Sequence, residues 1–143
     1  MRRYLLDTSA LLTLRDDEHG ADQVAEVLLQ AEEHQAKVYG SFMTLMEVFY
    51  RVWKDEGETE GRVAFEQCKS LPIRWVHENA DLLEQAAKIK ATHPLSLAGA
   101  WIAATAILEN GILMHKDPEF AVVDVEQHIL PYKKGVRPEW HLL

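Results

Sequence analysis

Arg2-Arg3-Tyr4-Leu5-Leu6-Asp7-Thr8-Ser9-Ala10-Leu11-Leu12 is the stretch that decides the fold class. Tyr4, Leu5 and Leu6 form a continuous apolar run, the pattern of a strand buried on both faces of a parallel sheet, and the run stops on the carboxylate of Asp7. Thr8 and Ser9 are residues that cap helix N-termini, and Ala10, Leu11, Leu12 and Leu14 continue as a helix. The unit is therefore strand, acid, turn, helix. A carboxylate at that junction faces a cleft or is paired, unless Asp7 is itself the helix cap; the stretch alone leaves both readings open.

Alternation of this kind continues down the chain. Residues 15–20 read as a solvated loop, and 22–34 as an amphipathic helix through Val24, Val27, Leu28 and Ala31. Residues 37–42 read as a second strand. A helix then starts near Thr44 and runs to Gly57. Thr44 and Glu47 have capping-box spacing, which predicts the Glu47 side chain folding back on the Thr44 amide. Against that, Glu47 falls just past the carboxyl end of a strand, as Asp7 does. The spacing next predicts a helix over 58–70, with Cys68 as a small core residue, a third strand over 73–76, and a helix capped by Asn79 and ended at His93-Pro94. His34, His77, His93, His128 and His141 have no ligand-spaced partners.

The block from Pro94 to Gly111 predicts a helix capped by Ser96, stopped at Gly111 and apolar nearly all round, hence buried. Gly99 in its first turn is out of place: glycine costs about 1 kcal/mol relative to alanine there, and an acid would both cap and favour the dipole. Ile112 to His115 follow as a fourth strand, with Asp117 capping a short helix that has Pro118 at its first position. Residues 128–131 suit a last edge strand. The tail from about 132, with Lys133, Lys134, Arg137 and Trp140, reads as a docked or frayed terminus or as a contact for RNA or a partner chain.

A chain of 143 residues that is 48% hydrophobic is expected to form a single domain over 1–143. One cysteine, Cys68, makes no intramolecular disulfide, and no apolar run is long enough to span a bilayer or to serve as a signal segment, so a soluble cytoplasmic protein is expected. A net charge of -8 argues against a generic basic surface gripping phosphates, and leaves room for an acidic pocket that binds cations. The pattern is α/β, a central mostly parallel sheet flanked by helices, with Asp7, Glu47 and Asp117 each following a strand at the sheet's carboxyl edge. Crowded carboxylates repel unless a cation or proton lies between them, and all-oxygen ligation favours Mg²⁺ or Mn²⁺. Phosphoryl transfer or phosphodiester hydrolysis suits such a site.

Leu5 to Leu12, Thr44 to Val48, Leu95 to Ala106 and His115 to Phe120 together resemble the successive motifs of the PIN domain, more narrowly the VapC-type ribonuclease toxins of toxin-antitoxin pairs. The resemblance implies a three-layer PIN-like sandwich and a Mg²⁺- or Mn²⁺-dependent endoribonuclease. Asp7 would be the first metal ligand, Glu47 the second acid and Asp117 the acid after the fourth strand. Ser9 would steady Asp7 or a metal-bound water, with Thr8 beside it in the supporting turn. A homodimer, and a small antitoxin whose tail occupies the groove, are also implied.

Gly99 departs from the family pattern, Leu-Ala-Asp-Ala-Trp, whose aspartate is a metal ligand. The same helical turn offers no other acid in its place. The resemblance thus implies weakened metal binding and little or no cleavage, through an inactivating substitution or in a natural non-catalytic module that binds RNA or protein. A phosphatase of the haloacid-dehalogenase type would need a second Asp at Ser9. Any RNA grip would fall to local bases such as Arg2, Arg3, Lys116, Lys133 and Lys134.

Overall fold

The computed structural model describes residues 1–132. Its elements follow the expected alternation: β1 (Arg2–Leu6), α1 (Thr8–Arg15), α2 (Ala21–Glu32), β2 (Ala36–Ser41), α3 (Phe42–Glu56), α4 (Glu58–Ser70), β3 (Arg74–Val76), α5 (Ala80–Thr92), α6 (Leu97–Leu108), β4 (Ile112–His115), a 3₁₀ helix (Pro118–Val122) and β5 (Gln127–Ile129). The strands form one five-stranded sheet in the order β3-β2-β1-β4-β5, and all the described pairs are parallel. Helices cover both faces, giving the layered α/β sandwich read from the sequence.

The apolar run Tyr4-Leu5-Leu6 is the centre of this sheet, and alternation of side chains along the strand sends its two leucines to opposite faces. Leu6 packs with Val24, Leu28, Val48 and Met114, while Leu5 packs with Leu82, Ile102, Ala103 and Leu113. Both leucines are fully buried, each contributing about 2 kcal/mol. Burial also pushes the Cys68 thiol up to about 11, so it behaves as the small apolar core residue expected. Among the described residues, no helix is long and apolar enough to cross a membrane.

The chain winds outward from β1 through β2 to β3, then jumps back to lay β4 on the other side of β1. The order therefore reverses between β1 and β4. In open parallel sheets a cleft opens at such a point, outside the carboxyl ends of the strands.

Several boundaries differ from the sequence reading, each for a local reason. Asp7 is the cap of α1, with its side chain accepting from the Ser9 amide, so Thr8 and Ser9 are the first helical residues and not caps. Ser41 caps α3 by accepting from the Met43 amide, so the helix starts at Phe42 and Thr44 lies buried inside its first turn. With the cap already taken, the Thr44–Glu47 box has no terminus to close. The left-handed turn after α6 belongs to Asn110 (φ 52°) and not to Gly111. Gly111 is instead a close-approach residue, since a Cβ there would lie 3.3 Å from the Leu5 amide nitrogen. The expected tail residues Lys133, Lys134, Arg137, Trp140 and His141 lie outside the described residues.

Gly40 in β2 faces the ring of Trp75, and a Cβ added there would overlap it, 2.7 Å from Cε3. Overpacking of this kind costs about 1–3 kcal/mol. Gly40→Ala is expected to lower unfolding stability by that amount in urea titration, because the new Cβ meets a rigid indole ring and not the end of a flexible side chain, with Ile73 Cγ2 only 3.1 Å away as well.

Candidate functional site

A cleft of about 340 Å³ opens at the reversal point. Asp7, Glu47 and Asp117 all line it, as do Ser9, Arg51 and Glu119. The three acids singled out in the sequence are thus brought to one place by three different elements.

Asp7 stands between β1 and α1, and its amide donates to the Met114 carbonyl (3.1 Å), which ties it to the end of β4. Its carboxylate accepts from both the amide and the hydroxyl of Ser9. Burial pushes this carboxyl up to about 6; the Ser9 hydrogen bonds oppose the shift, and the charges of Asp117 and Glu47 add to it. The two readings left open for Asp7 are therefore both true, because the carboxylate caps the helix and faces the cleft. The Ser9 hydroxyl also accepts from the Lys116 amide (3.0 Å), so one side chain links the turns after β1 and β4.

Glu47 does not fold back on Thr44. One of its oxygens accepts from the Thr8 hydroxyl (2.7 Å) and the other faces Arg51 (3.4 Å). The Thr8 and Thr44 hydroxyls are 3.0 Å apart. A carboxylate only accepts, so the single Thr8 proton goes to Glu47 and Thr44 is the donor in the second bond. Thr8, fully enclosed, is what aims Glu47 into the cleft.

Asp117 caps the 3₁₀ helix by accepting from the Glu119 amide (3.0 Å). Its own amide donates to Nδ1 of His115 (2.9 Å), a ring only 2% exposed. Because Nδ1 accepts, Nε2 carries the proton and donates to Gln127 (2.8 Å). Burial lowers the His115 pKa, which keeps the ring neutral in this arrangement. Gln127 in turn donates to the Phe120 and Val123 carbonyls. His115 and Gln127 therefore fix the segment that carries Asp117; neither role is legible in the sequence, because their partnership runs through backbone groups on another element.

Gly99, buried in the first turn of α6, faces the same cleft. Glu119 stands over it: its carboxylate accepts from the Ser96 amide (2.8 Å) and from the Ser96 hydroxyl (3.3 Å). A Cβ on Gly99 would lie 2.6 Å from the Glu119 oxygen and 2.9 Å from the Ser96 hydroxyl. Burial raises the Glu119 carboxyl, the Ser96 amide opposes this, and neighbouring Asp117 raises it further.

The bases expected to grip RNA are placed differently. Arg3 sits at the amino end of β1, bonded to the carbonyl (2.6 Å) and carboxylate (3.2 Å) of Glu109, and Arg2 precedes it on the same edge, so neither reaches the cleft. Lys116 is near the cleft, but its ammonium faces Glu18 (3.5 Å) and the His19 carbonyl (3.0 Å). Among the described lining residues the cation is Arg51, which the sequence reading passed over.

By donor type the set suits a hard divalent ion, because every donor it offers is oxygen. By geometry the carboxylates line the cleft without enclosing one. Among the described residues, no three His, Cys, Asp or Glu side chains are grouped closely enough to hold an ion as they stand.

A family model for the PIN domain matches residues 4–126. A search of curated protein sequences found no match. Among solved structures, the chain is similar to VapBC2 from Rickettsia felis bound to a DNA fragment from its promoter, at 16% identity and a TM-score of 0.73, covering 90% of this chain and 99% of that one. It is also similar to the sarcin-ricin-loop-cleaving toxin VapC20 of Mycobacterium tuberculosis, at 18% identity and a TM-score of 0.69, covering 90% and 99%. A toxin-antitoxin complex from Klebsiella pneumoniae aligns at 25% identity and a TM-score of 0.62, covering 91% and 98%.

Proposed function

The chain belongs to the PIN-domain family, and on that footing we propose that it is a VapC-type toxin, an endoribonuclease that hydrolyses RNA phosphodiester bonds with Mg²⁺ or Mn²⁺. The observation that carries the reading is the meeting of Asp7, Glu47 and Asp117 in one cleft at the reversal point of the sheet. These three acids would hold the ion. Bound there, it would supply Lewis-acid polarisation of the scissile phosphate and of the attacking water.

The remaining work falls to residues of the chain. Ser9 keeps the Asp7 carboxylate turned into the cleft and locks the two flanking turns together. Thr8 orients Glu47. Arg51 at the cleft's mouth offers a guanidinium to the phosphate, a local cation in a chain whose net charge repels RNA. Cleavage by this chain is slow, because α6 contributes no carboxylate of its own at position 99. A small cognate antitoxin restrains the protein, which acts as a cytoplasmic homodimer; complexes with antitoxins among the similar structures support the partner.

The test is incubation with a broad panel of structured RNAs in Mg²⁺ or Mn²⁺. Slow endonucleolytic cuts are expected, lost on chelation and lost in Asp117→Asn. Gly99 and the open arrangement of the acids favour a second reading, a non-catalytic module that binds RNA or protein. Tight RNA binding by the folded chain with no cleavage of any panel member would select that reading.

A further inference from the structure

We infer that Glu119 stands in for an acidic side chain at position 99: its carboxylate fills the space Gly99 leaves on the first turn of α6 and helps Asp7 and Asp117 hold the divalent ion. The inference rests on the metal-dependent reading above and adds to it a ligand and a reason for the glycine.

Ser96 caps α6 by accepting from the Gly99 amide (3.0 Å), which makes position 99 the third residue of the helix. In a capping box, an acidic side chain at this third position reaches back to the amide of the cap residue. Gly99 has no side chain to do so. The Ser96 amide is instead taken by Glu119, 23 residues further along the chain, at 2.8 Å. Glu119 thus performs from another element the hydrogen bond that an acid at 99 would make, and it does so from the same volume, as the 2.6 Å clash of a Cβ with its oxygen shows.

The location matters as much as the bond. Gly99 and Glu119 both line the cleft that holds Asp7, Glu47 and Asp117. A carboxylate offers about four acceptor directions, and Ser96 uses two of them. Asp117 lines the same cleft, and crowded carboxylates call for a cation or a proton between them. Simple helix capping explains the bond to Ser96 but not why the helix keeps its least favourable residue at the one point where a side chain would evict Glu119.

The experiment is calorimetric Mn²⁺ binding to the full chain and to Glu119→Gln, Gly99→Ala and Gly99→Asp, with circular dichroism melts to verify folding. Glutamine keeps an acceptor for the Ser96 amide and loses only the charge; alanine leaves every acid in the sequence but displaces the carboxylate. Both are expected to weaken Mn²⁺ binding by about ten-fold or more. Unchanged affinity in both would overturn the assignment. Binding by Gly99→Asp but not by the native chain would also overturn it, while leaving the nuclease reading intact. Absence of binding in all of these folded proteins would remove both.

Discussion

Asp7→Asn is expected to unfold at a higher temperature than the native chain at pH 7.5 without metal, although it removes a group the nuclease reading depends on. The Asp7 carboxyl is held at about 6 because it is buried and faces two other acids; in an unfolded chain an aspartate titrates near about 3.9. The folded state therefore holds this proton more tightly than the unfolded state does. Stability falls as pH rises through the window between those two values, and above it the charged group costs about 2–3 kcal/mol. Asparagine retains an acceptor for the Ser9 amide but forfeits the charge-assisted bond from the Ser9 hydroxyl, so a net gain of about 1–2 kcal/mol is expected, or several degrees in the midpoint. The gain should shrink toward pH 5 and be gone by about pH 3, below both values, where native Asp7 is protonated in both states. Saturating Mn²⁺ should reverse the order by stabilising the native chain alone. A variant no more stable than the native chain at pH 7.5 would mean that Asp7 is not under electrostatic strain.

Such strain is legible in the sequence only where the acid sits at the end of its own element. Asp7 could be placed because an apolar strand stops on it, and Asp117 because the same pattern repeats before Pro118. Glu47 was harder. Its spacing from Thr44 satisfies a capping rule, and nothing local reveals that Ser41 has taken the cap or that Thr8, 39 residues earlier, holds the carboxylate. Charge alone points Arg2 and Arg3 at RNA, but the direction of the strand does not. Arg2 precedes Asp7 by a full strand, about 16 Å, so it lies on the opposite edge of the sheet. The Glu119 contact was out of reach for a different reason. Gly99 is anomalous on sequence grounds and its own helical turn holds no acid, whereas the 3₁₀ helix delivers one across the cleft.

That contact limits what restoring an acid at 99 alone should do. Gly99→Asp alone places a second carboxylate where Glu119 already stands, with the new Cβ 2.6 Å from its oxygen. Glu119 must leave Ser96, and two like charges then compete within one turn of helix. Gly99→Asp combined with Glu119→Ala avoids the collision. In that protein the acid is carried by the rigid first turn of α6 and not by the longer, more rotatable side chain of glutamate, and fixing a short side chain costs about 1 kcal/mol less entropy. Single-turnover RNA cleavage in Mn²⁺ is expected to rise by about ten- to a hundred-fold over the native chain in the double variant, with Gly99→Asp alone in between. Removing the Glu119 charge should therefore weaken the site when residue 99 is glycine and improve it when residue 99 is aspartate. A sign change of that kind follows only if the two positions compete for one volume. Equal cleavage by the single and double variants would mean that they do not.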